Sequence, residues 1–513
     1  MIEGSQNKLS RFTLWMITLT VMLVAMMEAL DMTVTNVALP NLMSAFGVSS
    51  HSVTWIVTAY MTASAVVMPI VGLLVKKMGR KNLLVICVSG FAISSLLCGG
   101  TSHFALLVFF RASQGMFGAA LVPLSQSIIM ESFPKEECNK GLGVWTVGIM
   151  IAPILGPLVG GYIIQILNWR WIFFLNIPIC ILALLMTHIF ISESERSSAS
   201  VDWNGFFLLV ISVGLLQFIV DRGSSLHWFD SRIITHSFII MLIFGIIFIY
   251  RGIQNRKNSV INFDLFKTRN YTICTIMTFI FCASFMGINA IAPIFIQSFL
   301  HFTPFLSGFI NLPGGIAGML GMGAGAFLIK NINAKLLMGM GLLISFWSTL
   351  LMAHMTLHIG MQWLIRVYMM RNFGFGLFFI TVVTLAMVNV PKEFYALASG
   401  VYNFARNMGG SIGISYASAQ LNTFAQNGWS QMSGFISPYS PGLQFWLAQQ
   451  TVMPGMSYNN PLAVGLYAKS LTDQSYLQAF NMTFFVLCSL FTVVFIFIFL
   501  TQHVKIDKLD IGA

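Results

Sequence analysis

Glu28 and Asp31 stand three residues apart in an otherwise apolar run, about residues 14–39, so one helical face would carry both carboxyls. A later apolar run, about 104–130, carries Arg111. Charge at the centre of a membrane-crossing helix costs at least about 2.5–3.5 kcal/mol, so such residues are read first as functional. At ~1.5 Å per residue, Asp31 would lie ~12 Å and Arg111 ~10 Å below the same membrane surface. The two can pair if their helices are neighbours. The chemistry open to such a pair is reversible proton binding, with the guanidinium tuning the carboxyl. The alternative is a buried ion pair that only joins helices.

Other patterns point to movement and recognition. Gly148, Ala152, Gly156 and Gly160 recur every four residues, a stripe that admits a second backbone closely. Pro153 and Pro157 add bends beside it, with Gly161 next to the stripe, as expected of a helix that flexes at a moving interface. Arg406, in Asn403-Phe-Ala-Arg406, would lie ~15 Å into a span as a substrate contact or a hydrogen-bond hub. Asn36 and Gln114 join Asn403 and Arg406 as candidates for lining a substrate path. The segment containing Gly72, Lys77, Gly79, Arg80 and Lys81 recurs weakly at Gly325–Leu337, with Gly, Lys and a Leu pair at identical offsets.

Enzyme motifs fare poorly. Gly409-Gly410-Ser411-Ile412-Gly413 spells a nucleophile elbow, but it lies inside an apolar run without a strand-to-helix turn. His354 and His358 share a helical face, yet no Glu lies between them and no third metal ligand is evident. No phosphate-binding lysine motif is present, so ATP-driven pumping has no support.

These residues must be held by membrane helices. Of 513 residues, 57% are hydrophobic and 8% charged, and the mean hydropathy is +0.82. Soluble chains carry about 25% charged residues. The composition excludes a soluble enzyme, a disordered chain and a disulfide-built domain. Seven Cys without a paired spacing read as small hydrophobes. The first apolar run is too long for the core of a cleavable signal. Runs of about 20 apolar residues are the unit of crossing. Fourteen are expected, at about 14–39, 51–75, 83–101, 104–130, 141–165, 171–191, 204–220, 233–251, 271–299, 305–329, 336–354, 361–390, 396–420 and 477–501.

With the N-terminus in the cytoplasm, nineteen of the 27 Lys and Arg fall in cytoplasmic segments, four outside and four within spans. This is the positive-inside asymmetry, and it explains the net charge of +11 without nucleic acid. The spans divide as six, two and six: an N-terminal bundle over 14–191, two inserted helices over 204–251 and a C-terminal bundle over 271–501. Two homologous halves are the build of alternating-access transporters. Residues 421–476 are expected as a long outer loop. Lys469 and Asp473 are its only charges, which fits a segment that packs against another surface.

At these residues the chain resembles the major facilitator superfamily, in its fourteen-helix drug:proton antiporter branch, and looks most like the EmrB-type exporters. Leu30-Asp31-Met-Thr33-Val34-Thr-Asn36-Val37-Ala38-Leu39-Pro40 resembles that branch's first-helix motif. Arg111-Ala-Ser-Gln114-Gly115 resembles its fourth-helix motif, and Gly148 to Gly161 its antiporter motif. Trp169-Arg170-Trp171-Ile-Phe173-Phe174-Leu-Asn176-Ile-Pro178 and Asn403-Phe-Ala-Arg406 are further similar stretches. Two positions depart from the pattern: Lys76 replaces an Asp of the gating loop, and Glu28 stands where an uncharged residue is usual.

The resemblance implies an all-α inner-membrane protein with both termini cytoplasmic. It would export lipophilic toxic compounds by proton antiport, with the proton gradient as energy source and no cofactor or metal. Asp31, Arg111 and Glu28 would couple protons. The EmrB type also implies a periplasmic membrane-fusion adaptor (EmrA-like) and an outer-membrane channel (TolC-like). Export of an endogenous metabolite such as a siderophore stays open beside drug export. A receptor or scaffold is the remoter alternative, since it has no need of buried charge.

Overall fold

The computed structural model describes residues 10–134, 138–193, 202–254, 260–261, 263–329, 331–388, 390, 395–436, 441–449 and 461–502. Among these there is no strand. The chain begins with α1 (Arg11–Phe46) and turns back through a broken span, α2 (Ser50–Val53), α3 (Trp55–Val67) and α4 (Val71–Met78). Then come α5 (Arg80–Gly100), a second broken span of α6 (Phe104–Gly118) and α7 (Leu121–Ser132), and α8 (Cys138–Ile166). The short α9 (Trp171–Phe174) leads into α10 (Asn176–Phe190), followed by α11 (Trp203–Arg222) and α12 (Arg232–Gln254). Four long helices continue: α13 (Arg269–Ser298), α14 (Pro304–Leu328), α15 (Ala334–Met352) and α16 (Met361–Met387). The last are α17 (Tyr395–Ser433), α18 (Pro441–Gln449) and α19 (Pro461–Leu500).

Local chemistry sets the boundaries. Ser10 caps α1 by accepting from the Thr13 N–H, and Gly47 ends it in the left-handed region at φ 61°. Pro69 tightens the junction of α3 and α4 into a 3-10 turn. Gly79, at φ 82°, makes the turn between α4 and α5 that a side chain would strain.

Thirteen described segments are long and apolar enough to cross a membrane. The remaining expected span, 396–420, falls in α17, which is as long as any of them but too polar to qualify. Its polarity is tolerable because Ser411, Ser415 and Ser418 are buried in protein, with α3, α13 and α19 packed around them. α13 is the most enclosed helix, with 78% of its most apolar stretch buried against 17% for α12, which leaves α12 at the periphery.

Of the segment expected as a loop over 421–476, the described residues are largely helical instead, and 437–440 and 450–460 lie outside them. α17 runs on to Ser433, α19 starts at Pro461, and α18 lies between them. The apolar signal stops where a helix leaves the hydrocarbon, but the helix need not. The two extensions pair through small residues: Ser475 Oγ donates to the Ala425 carbonyl (2.9 Å), and Gly428 admits the Ser475 side chain.

Candidate functional site

Asp31 and Arg111 do meet. Arg111 Nη1 donates to Asp31 Oδ2 at 2.6 Å, with the side chains 0% and 1% exposed. The same nitrogen donates to Gln114 Oε1 (2.7 Å), and Nε donates to the Ile56 carbonyl (3.2 Å). The second carboxylate oxygen, Asp31 Oδ1, accepts from Asn176 Nδ2 (2.7 Å) and Gln114 Nε2 (3.2 Å). Ser95 Oγ accepts from both amides and donates to the Phe173 carbonyl. Five helices therefore converge on one carboxylate: α1, α3, α5, α6 and α10. A dry ion pair holds only when its remaining hydrogen-bonding capacity is also met, and here the amides meet most of it.

The helices reach these distances because small residues let them. A side chain on Gly115 would collide with the backbone of Tyr60, so α3 lies directly on α6 and brings Ile56 to Arg111. The Tyr60 ring then stacks under the guanidinium, 4.5 Å from its centre. Tyr60 also donates to Glu28 Oε1 (3.4 Å), so Glu28 is linked to the cluster through a phenol. Arg406 lies on α17.

The stripe on α8 serves α1. A Cβ on Gly148 would meet Met22, one on Gly156 would meet Thr33, and one on Gly160 would meet Val34. The neighbouring face of α8 crosses α14. There Gly161 lies against the Pro304 carbonyl, Gly308 against the Pro157 carbonyl and Gly315 against Ile154. At the same end of the bundle α1 and α13 are tied together. Gln297 Nε2 donates to the Val37 carbonyl (3.0 Å), and Asn41 Nδ2 donates to Gln297 Oε1 (3.4 Å). The bundle is closed where α1 and α13 finish.

The remaining expected residues scatter. Asn36 is half-buried on α1, with its Oδ1 buried and without a partner. Asn403 bonds within its own helix, to the Ser399 carbonyl (2.9 Å) and hydroxyl. In the loop region, Lys77 lies over the Trp203 ring (6.0 Å) and Lys81 donates to the His188 carbonyl (3.0 Å). Gly72 has open space around it, Gly79 forms the turn, and Arg80 opens α5. The side chain of Lys76 lies outside the described residues.

Two groups escaped the sequence reading. Asn176 and Ser95 are neutral, and a search for charged residues in spans passes over them. Asp221 directly follows the shortest of the expected runs, 204–220, yet it is bonded on three helices: it accepts from Gln217 Nε2 (3.0 Å) on α11, from Ser415 on α17 and from Thr58 (3.5 Å) on α3. Gln217 also donates to Ser415 Oγ (2.7 Å). Thr62 and Ser411 share a hydrogen bond at 2.8 Å along the same contact of α3 with α17.

In comparisons with known proteins, residues 21–414 match the Major Facilitator Superfamily. The multidrug export protein EmrB of Escherichia coli K12 is 29% identical over 500 residues, covering 96% of this chain and 94% of that protein. The fatty acid resistance protein FarB of Neisseria gonorrhoeae is 30% identical over 497 residues, covering 95% and 96%. Among solved structures, a bacterial homologue of the human lysosomal transporter Spinster, in an inward-facing and occupied conformation, superposes with a TM-score of 0.68 at 14% identity. That match covers 96% of this chain and 97% of the other. The nucleoside transporter NupG superposes at 0.64 with 12% identity, covering 95% and 100%. At such identities the structures speak for the fold alone, but the sequence match spans most of the chain, and with the many apolar helices it establishes that this multi-pass membrane protein belongs to the Major Facilitator Superfamily, a family of transporters and not of enzymes.

Proposed function

We propose that this chain is a proton-driven exporter of lipophilic toxic compounds, working by alternating access. The observation that carries the reading is the Asp31 cluster: a titratable group, wholly buried, on a helix that is also tied to α13 of the second half. Nothing about holding helices together requires a charged pair here, since apolar residues of similar volume do that as well or better. A carboxylate gains proton affinity when its cation moves away and loses it when the cation returns. Rocking of α1 against α6 would therefore load and unload a proton at Asp31, and movement of substrate outward would be exchanged for that proton. Similarity to EmrB and FarB, named for multidrug export and fatty acid resistance, supports the choice of substrates.

The reading includes fourteen crossings in a six-two-six order, both termini in the cytoplasm, and an inner-membrane location. The nineteen-to-four charge asymmetry supports that orientation. The closed end of the bundle is then the outer one. A deletion strain should accumulate lipophilic dyes several-fold, and a protonophore should produce the same accumulation in the parent. Accumulation of an iron-chelating metabolite in place of the dyes would turn the reading toward export of an endogenous product.

A periplasmic adaptor and an outer-membrane channel belong to the same proposal. α17 has 39 residues and α19 has 40. At 1.5 Å per residue, such helices are ~60 Å long against a hydrocarbon core of about 30 Å. The surplus would stand outside as a helical pair, with Trp429 exposed on α17, Phe435 just beyond its end and Phe445 on α18. Shortening this pair should abolish resistance in cells while leaving transport in reconstituted vesicles. Equal loss in both assays would assign the pair to folding.

A further inference from the structure

The two ends of the chain's internal repeat are not chemically equal. Asp31 is the twenty-first residue of α1, and Asn289 is the twenty-first of α13. Arg111 on α6 has its counterpart in Arg371 on α16, which donates from Nη2 to Asn289 Oδ1 at 2.5 Å. Ser95 beside Gln114 is matched by Ser345 beside Gly374, three residues after the arginine in each case. The second half thus repeats the cation of the first half but replaces its carboxylate by an amide and its glutamine by a glycine.

Arg371 is left without an anion. It is fully buried, its Nε and Nη1 have no hydrogen-bond partner, and the hydroxyl of neighbouring Tyr368 has none. Among the described residues the guanidinium forms no ion pair. The faces of Phe285 (5.0 Å) and Tyr368 (4.8 Å) lie over it. An arginine cannot discard its proton to relieve this. The amide partner Asn289 is only half-buried, although α13 is the most enclosed of the described membrane-length helices.

We propose that Arg371, with the Tyr368 hydroxyl and Asn289, is a binding point for the anionic head group, a carboxylate above all, of an amphiphilic ligand. The inference rests on the export reading and narrows its substrate class. With Nε and Nη1 free, one edge of the planar guanidinium, completed by the second N–H of Nη2, presents the fork that a carboxylate accepts. Phe285, Phe375 and Phe281, stacked on one another beside it, offer an apolar wall to the rest of the molecule. In the closed state seen here the rings lie over the guanidinium, and an entering head group displaces one of them.

The test uses the full-length protein in phosphatidylcholine nanodiscs, with laurate and dodecyltrimethylammonium as probes of equal chain length and opposite charge. Wild-type protein binds laurate. Arg371→Gln weakens laurate at least about ten-fold, as expected for loss of a charged hydrogen bond, and leaves dodecyltrimethylammonium unchanged. Arg371→Lys, which keeps the charge without the fork, falls between them and guards against a folding defect in the first variant. If phosphatidylglycerol nanodiscs abolish laurate binding only while Arg371 is intact, the anion site stands and a lipid head group is its occupant. Unchanged laurate binding in Arg371→Gln, or equal loss of both probes, overturns the proposal. Wild-type binding of the cation alone overturns it while the export reading survives; binding of neither probe counts against both.

Discussion

Asp31→Asn is expected to abolish uphill export driven by a pH gradient, by at least about a hundred-fold, while substrate binding persists. The amide matches the carboxyl in size and keeps one acceptor for Arg111, but it cannot titrate. It also leaves the guanidinium buried without an anion, and breaking such a pair costs about 3–5 kcal/mol. Thermal stability must therefore be measured alongside transport in vesicles. Asn176, Gln114 and the Ile56 carbonyl still hold the neighbouring groups, so a folded, binding-competent variant is expected. Glu28→Gln should be the milder change, since Tyr60 can donate to an amide oxygen as it does to the carboxylate. If Asp31→Asn still drives substrate against its gradient, Asp31 is structural and Glu28 becomes the candidate.

Gly308→Ala should be nearly as severe, and for a different reason. Its Cβ would fall inside contact distance of the Pro157 carbonyl, a backbone atom that no rotamer change can move aside. The crossing of α14 over α8 must open to admit it. Overpacking of this kind costs about 1–3 kcal/mol, or roughly a five- to 150-fold shift away from the closed state. A cysteine pair at Asn41 and Gln297, whose side chains touch in that state, reports the shift as slower cross-linking. Gly323→Ala, on the same helix but with open space around it, is the control and should cross-link at the parental rate. Equal cross-linking in both variants would mean that the crossing does not govern closure at that end.

The sequence carried the site further than the fold around it. Depth along a helix follows from residue count alone, so Asp31 and Arg111 were assignable to one level before any neighbour was known. What counting cannot supply is which helices touch. The glycine spacing on α8 announced a close approach, but only coordinates show that Gly148, Gly156 and Gly160 receive α1 while Gly161 receives α14. Asn176 was illegible as a ligand of Asp31 because a neutral amide in a span raises no alarm. Asp221 was illegible because its run was short and ended in charge, and its partners come from α3 and α17, more than 150 residues away in either direction. The 421–476 region misled for a simpler reason. Hydropathy follows the bilayer, whereas helix formation there follows packing of small residues such as Ala425, Gly428 and Ser475.

The exchange of substrate for protons is tested most directly in sealed vesicles holding the wild-type protein and a trapped pH dye, with no gradient imposed. Adding a lipophilic substrate on one side should drive protons the opposite way, and the signal should vanish in Asp31→Asn and with a protonophore. Substrate that crosses at the wild-type rate without any proton movement, or a proton signal that Asp31→Asn leaves intact, would contradict coupling at this carboxylate.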